Sequence, residues 1–111
     1  MAMPTPLLLE QNLETEVQNV PNYAARVESC VAQRLESGDV RVTGTLINAG
    51  LTRLQTPYLY FTVHDRFGTL LREEIATAGV RAIQGGEEIA IEILIPDCST
   101  SAALVRVLAS I

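Results

Sequence analysis

Apolar and polar residues alternate with a period of two over most of the chain beyond residue 25, and the sharpest instance is 57–71, PYLYFTVHDRFGTLL. Leu59, Phe61 and Val63 fall on one side of an extended chain, and Tyr58, Tyr60, Thr62 and His64 on the other. Asp65 then offers a side-chain acceptor and Gly68 can take a positive φ, so a turn is expected before Thr69, Leu70 and Leu71. Upstream, Val27, Val31 and Leu35, opposed by Arg26, Glu28, Arg34 and Glu36, predict a strand with one apolar side. Ser37-Gly38-Asp39 is a turn signal, and Val40, Val42, Gly44 and Leu46 place a returning strand with Arg41, Thr43 and Thr45 outward. Gly44 has inward parity, where a missing side chain admits a large neighbour such as Phe61 or allows a bulge.

Downstream, residues 69–77 read as a strand carrying Arg72, Glu73 and Glu74, an edge blunted by charge. Residues 78–83 connect onward to a turn at 84–87. Ile89, Ile91, Ile93 and Ile95 then share one face, against Glu88, Ala90, Glu92 and Leu94 on the other. A loop over 96–101 leads to a last strand marked by Val105, Val107 and Ala109, with Arg106 outward.

The segment 7–20 fits two templates. Leu9, Leu13, Val17 and Val20 share a helical face behind Thr5 as N-cap and Pro6, whereas Leu7, Leu9, Leu13 and Val17 share a strand face with a wet polar side. Six strands, or seven with this segment, separated by turns at regular spacing, predict an all-β fold, an immunoglobulin-like antiparallel β-sandwich. An N-terminal segment 1–22, strand or short helix, precedes a sandwich domain 23–111.

Composition narrows the picture. A chain of 111 residues, 48% hydrophobic but only 5% aromatic and without Trp, must build its core from Val, Ile, Leu and Ala. The net charge of -5, with eight scattered basic residues that are all Arg, argues against a nucleic-acid partner. Apolar runs fall well short of the roughly 20 residues of a membrane helix, and the start MAMPTPLLLEQN lacks a basic n-region, so a cytoplasmic protein without membrane insertion is expected, although a mature exported form would read the same. Cys30 and Cys98 lack metal or redox spacing, and two reduced thiols are expected over a bridge.

The run Val42-Thr43-Gly44-Thr45-Leu46-Ile47-Asn48, then Leu59 to Asp65 followed by Gly68, then Gly86-Glu87 before an apolar strand, resembles the FxLYD and CARDB group of immunoglobulin-like domains over about residues 25–110. His64 stands where the FxLYD pattern has tyrosine, and Gly85 where proline is common. The resemblance implies a sandwich fold and an accessory or adhesive role, and it implies no activity.

Candidate chemistry is sparse. His64 beside Asp65 is the one pair suited to acid–base work, but neighbouring strand residues point to opposite faces and Asp65 suits a cap on its own turn, so no catalytic residue is assigned. No zinc or calcium-loop spacing occurs, so no metal or cofactor is assigned; a site from Glu87, Glu88 and Asp97 would need their loops to converge. The better candidate is a binding stripe formed by Tyr58, Tyr60, Thr62 and His64, unless the N-terminal segment folds over it. The expected function is a non-enzymatic interaction or assembly module whose partner is a protein or a second copy, a homo-oligomer held by a sheet face or edge. A small-ligand or carbohydrate binder using Tyr58, Tyr60 and His64 is the alternative, and an enzyme centred on His64 and Asp65 a further one.

Overall fold

The computed structural model describes residues 10–21, 23–55, 57–79 and 82–110, and among these every regular element is a strand. In chain order they are β1 (Glu10–Gln18), β2 (Ala25–Leu35), β3 (Val40–Asn48), β4 (Leu54–Gln55), β5 (Tyr58–His64), β6 (Leu70–Thr77), β7 (Ala82–Ile83), β8 (Glu88–Ile95) and β9 (Leu104–Ser110). Seven of them form one curled sheet in the order β6-β5-β9-β1-β2-β3-β8, and β4 pairs with β7 in a separate two-stranded patch. The curl folds the sheet on itself, giving the mostly antiparallel β-sandwich that the alternation predicts.

The fold in the sheet lies at β1. Residues Glu10 to Leu13 pair antiparallel with β2, and Glu14 to Gln18 pair parallel with β9. One strand therefore belongs to both layers, and the helical alternative for this segment is excluded for the described residues. Leu13 and Val17 pack against the core while Asn12, Glu14, Glu16 and Gln18 are exposed, the faces that period-two reading assigns. Leu7 and Leu9 lie outside the described residues. Once β1 leaves β2, side chains replace its ladder: Val27 N–H donates to Asn19 Oδ1 at 2.9 Å, Asn19 Nδ2 donates to Val27 O at 3.2 Å, and Thr15 Oγ1 donates to Cys30 O at 3.3 Å. Without them, half-buried backbone groups of β2 would lose these partners at the corner.

The core fills from both layers. Val27, Val42, Leu46 and Ile91 meet Leu59, Phe61, Val63, Val105 and Val107, all buried. From Val31 onward β2 differs from expectation: Ala32 and Arg34 pair with buried Val42 and Val40, so Val31 and Leu35 lose the inward places and Arg34 the outward one. Val31 is 46% exposed, and Ala32 takes the buried place. The register of β2 against β3 shifts between Glu28 and Val31, where Ser29 has φ 54°, so an extra residue inverts the parity of the rest of the strand. Gly44 faces this bulge: a Cβ there would meet Cys30 Cα and Glu28 O at 3.3 Å. Its bare backbone thus makes room for the bulge of β2, whose backbone atoms are its nearest neighbours.

The segment 78–83, expected as a plain connection, contains the short strand β7. Asn48, completely buried, ties this region together: Nδ2 donates to Thr52 O and Ile83 O. Both cysteines are free thiols.

Candidate functional site

The outer surface of the β6-β5-β9 layer carries the candidate binding stripe. On β5, Tyr58, Tyr60, Thr62 and His64 alternate with buried Leu59, Phe61 and Val63, so the four share one face as the sequence predicts. Cross-strand pairing adds neighbours that the stripe alone does not reveal. Tyr60 sits between Ile75 on β6 and Leu108 on β9, and Thr62 between Glu73 and Arg106. Tyr58 is 41% exposed and Ile75 67%. The segment 10–18 does not lie over these tyrosines, because β1 runs within the layers and turns Leu13 and Val17 inward.

Two depressions meet at Tyr60. One, of about 530 Å³, is lined by Tyr58, Tyr60, Ile75 and Leu108 and is apolar. The other, of about 260 Å³, shares Tyr60 and Leu108 with the first and adds Gln18, Thr62, His64, Glu73 and Arg106 to apolar walls from Leu70 and Val107. The Tyr60 hydroxyl donates to the Glu73 carboxylate, and this bond, with the nearby negative charge, holds the phenol pKa above its usual value. Arg106 Nε is 3.3 Å from Glu16 on β1, so the guanidinium that lines this depression is itself paired.

His64 departs from expectation. The residue is only 8% exposed, so the face presents two phenols but not a free imidazole. Nε2 lies 2.9 Å from Thr62 Oγ1 and Nδ1 3.3 Å from Gly68 O, contacts that dock the ring between its own strand and the following turn. Asp65 is engaged elsewhere: its Oδ1 accepts from Phe67 N–H and Thr69 N–H, both at 2.9 Å, capping the turn in which Gly68 has φ 86°. Asp65 thus caps its own turn as the sequence suggests, and the two neighbouring side chains serve separate local bonds. Glu87 and Glu88 stand at the start of β8 and Asp97 beyond its end, so these carboxylates do not converge. Among the described residues no group of three or more His, Cys, Asp or Glu could hold a metal ion, and no helix is long and apolar enough to cross a membrane.

The two edges of the curled sheet are built differently. On β6, Arg72 and Glu74 pair with Val63 and Phe61 and so have core-facing parity, where they form an ion pair at 3.6 Å. Charges pointing inward make an edge strand a poor template for a further strand. On β8 the core-facing residues are Ile89, Ile91, Ile93 and Ile95, and the strand holds neither Pro nor bulge. Among the described residues, β8 pairs with β3 alone.

The described residues thus form an all-β sandwich with one edge guarded by inward charges and one, β8, without such a guard. No protein-family model matches it, and no curated protein does. Among solved structures, it is similar to a DUF1425 family member from Shewanella sp. pv-4, with a TM-score of 0.54 and 18% identity over 78% of this chain and 77% of that chain. Campylobacter jejuni cj0090 aligns with a TM-score of 0.48 and 16% identity over 86% of this chain and 97% of that one. The likeness to the Shewanella protein is one of fold.

Proposed function

We propose that this chain is a non-enzymatic interaction module that self-associates through a sheet edge. The observation that carries the reading is the contrast between the two edges: β6 places Arg72 and Glu74 on its core side, whereas β8 offers an unbroken row of isoleucines. An exposed backbone edge beside apolar side chains binds another strand by main-chain hydrogen bonds, with specificity from alternate side chains. The accessory or adhesive role implied by the resemblance of residues 25–110 to FxLYD and CARDB domains points the same way. Light scattering across a wide concentration range tests the reading. The mass is expected to rise from 12.1 kDa towards twice that value, and a mass that stays at the single-chain value throughout would remove it.

A second reading is favoured by the paired depressions at Tyr60. An apolar groove beside one lined by an amide, a carboxylate and a guanidinium suits a small ligand with a flat apolar face and hydroxyls, such as a carbohydrate. Titrating tyrosine fluorescence against a glycan panel checks it. Saturable quenching that Tyr60→Ala abolishes would support this reading, and an unchanged signal with every glycan would dismiss it.

A further inference from the structure

We infer that the strand taken up by the β8 edge is β8 of a second copy, run antiparallel about a two-fold axis through Ile91. The inference rests on the proposed self-association and specifies its surface and register. A two-fold pairing that keeps core-facing residues opposite core-facing residues must be centred on a residue. Centred on Ala90, it sets Glu88 opposite the partner's Glu92, and centred on Glu92 it sets that carboxylate against itself. Like charges directly opposite destabilise a pair. A centre at Ile93 avoids this but shortens the overlap to Ile91 to Ile95.

The centre at Ile91 resolves both problems. Glu88 then faces the partner's Leu94, and Glu92 faces the partner's Ala90. On the core side Ile91 meets the partner's Ile91, and Ile89 meets the partner's Ile93. Ile89 and Ile93 are only half-buried in the single chain, so each has apolar surface left to cover. The result is one sheet running from β1 of one copy to β1 of the other through the paired β8 strands. Its acidic side chains are staggered across the junction rather than opposed.

Charge placed at Ala90 tests the register. Ala90 is exposed and lies across from uncharged Thr45 within its own sheet, so a charged side chain there leaves the fold intact, which melting curves would check. Ala90→Glu creates two carboxylate pairs with Glu92 per dimer and is expected to weaken association by roughly three- to thirtyfold. Ala90→Lys creates two opposite-charge pairs and is expected to leave the dimer equal or tighter. Sedimentation equilibrium reads both. A wild-type chain that stays single would overturn the underlying self-association. A wild-type dimer indifferent to both substitutions, or weakened by the lysine, would overturn the Ile91-centred pairing while leaving self-association standing.

Discussion

Asn48 shows how much of this fold hangs on single polar side chains. It is completely buried, yet Nδ2 donates to Thr52 O at 2.7 Å and Ile83 O at 2.9 Å, and Oδ1 accepts from Gly50 N–H at 3.0 Å. The amide joins the loop after β3 to β7, and its removal leaves the buried Ile83 carbonyl without this donor. Asn48→Ala is expected to cost about 2–3 kcal/mol in urea unfolding, and a loss indistinguishable from zero would show the clamp to be dispensable. Cys98 supplies a pH-dependent contribution. Burial pushes its thiol up to about 11 from 9.0, partly opposed by the Arg72 charge. The folded chain therefore holds this proton more tightly than the unfolded chain, so the stabilisation is complete below pH 9.0 and is lost as pH rises through about 11. Thermal midpoints of the wild type should fall across that window more steeply than those of Cys98→Ala; parallel curves would contradict the assignment.

Elements were legible from sequence wherever one local pattern determined them. The stripes of β3, β5, β8 and β9 come from strict alternation, and the Asp65 cap and Gly68 turn from turn chemistry. Three features escaped because their causes are not local. The bulge at Ser29 inverts the second half of β2, and Val31 and Ala32 exchange places although both are apolar. The strands β4 and β7 are two residues each, too short for a period to show. The partners of β1 were hidden, because alternation reports which side chains face inward and not that the strand joins β9 in parallel across the length of the chain. At the candidate site, the tyrosine stripe could be read, but Ile75, Leu108, Glu73 and Arg106 enter only through cross-strand register. The guard on β6 is itself testable. Arg72→Val with Glu74→Val should turn that edge into a second sticky strand, seen as turbidity or higher-order assembly on concentration. If the double variant keeps the wild-type mass and solubility, the inward charges are not what protects the edge.

For the whole molecule, the topology sets where assembly can occur. Among the described residues, the sheet folded about β1 ends in β6 and β8, and inward-facing charges guard the first of these ends and not the second. Edge pairing extends a hydrogen-bonded ladder rather than merely stacking surfaces, so it leaves a signature at the backbone. Hydrogen exchange of the β8 amides, followed in dilute and in concentrated solution, tests this most directly. Amides within Glu88–Ile95 should gain protection as concentration rises, while those of β6 exchange at an unchanged rate. Exchange in β8 that is independent of concentration, while the measured mass doubles, would contradict the edge pairing and place the contact elsewhere on the sandwich.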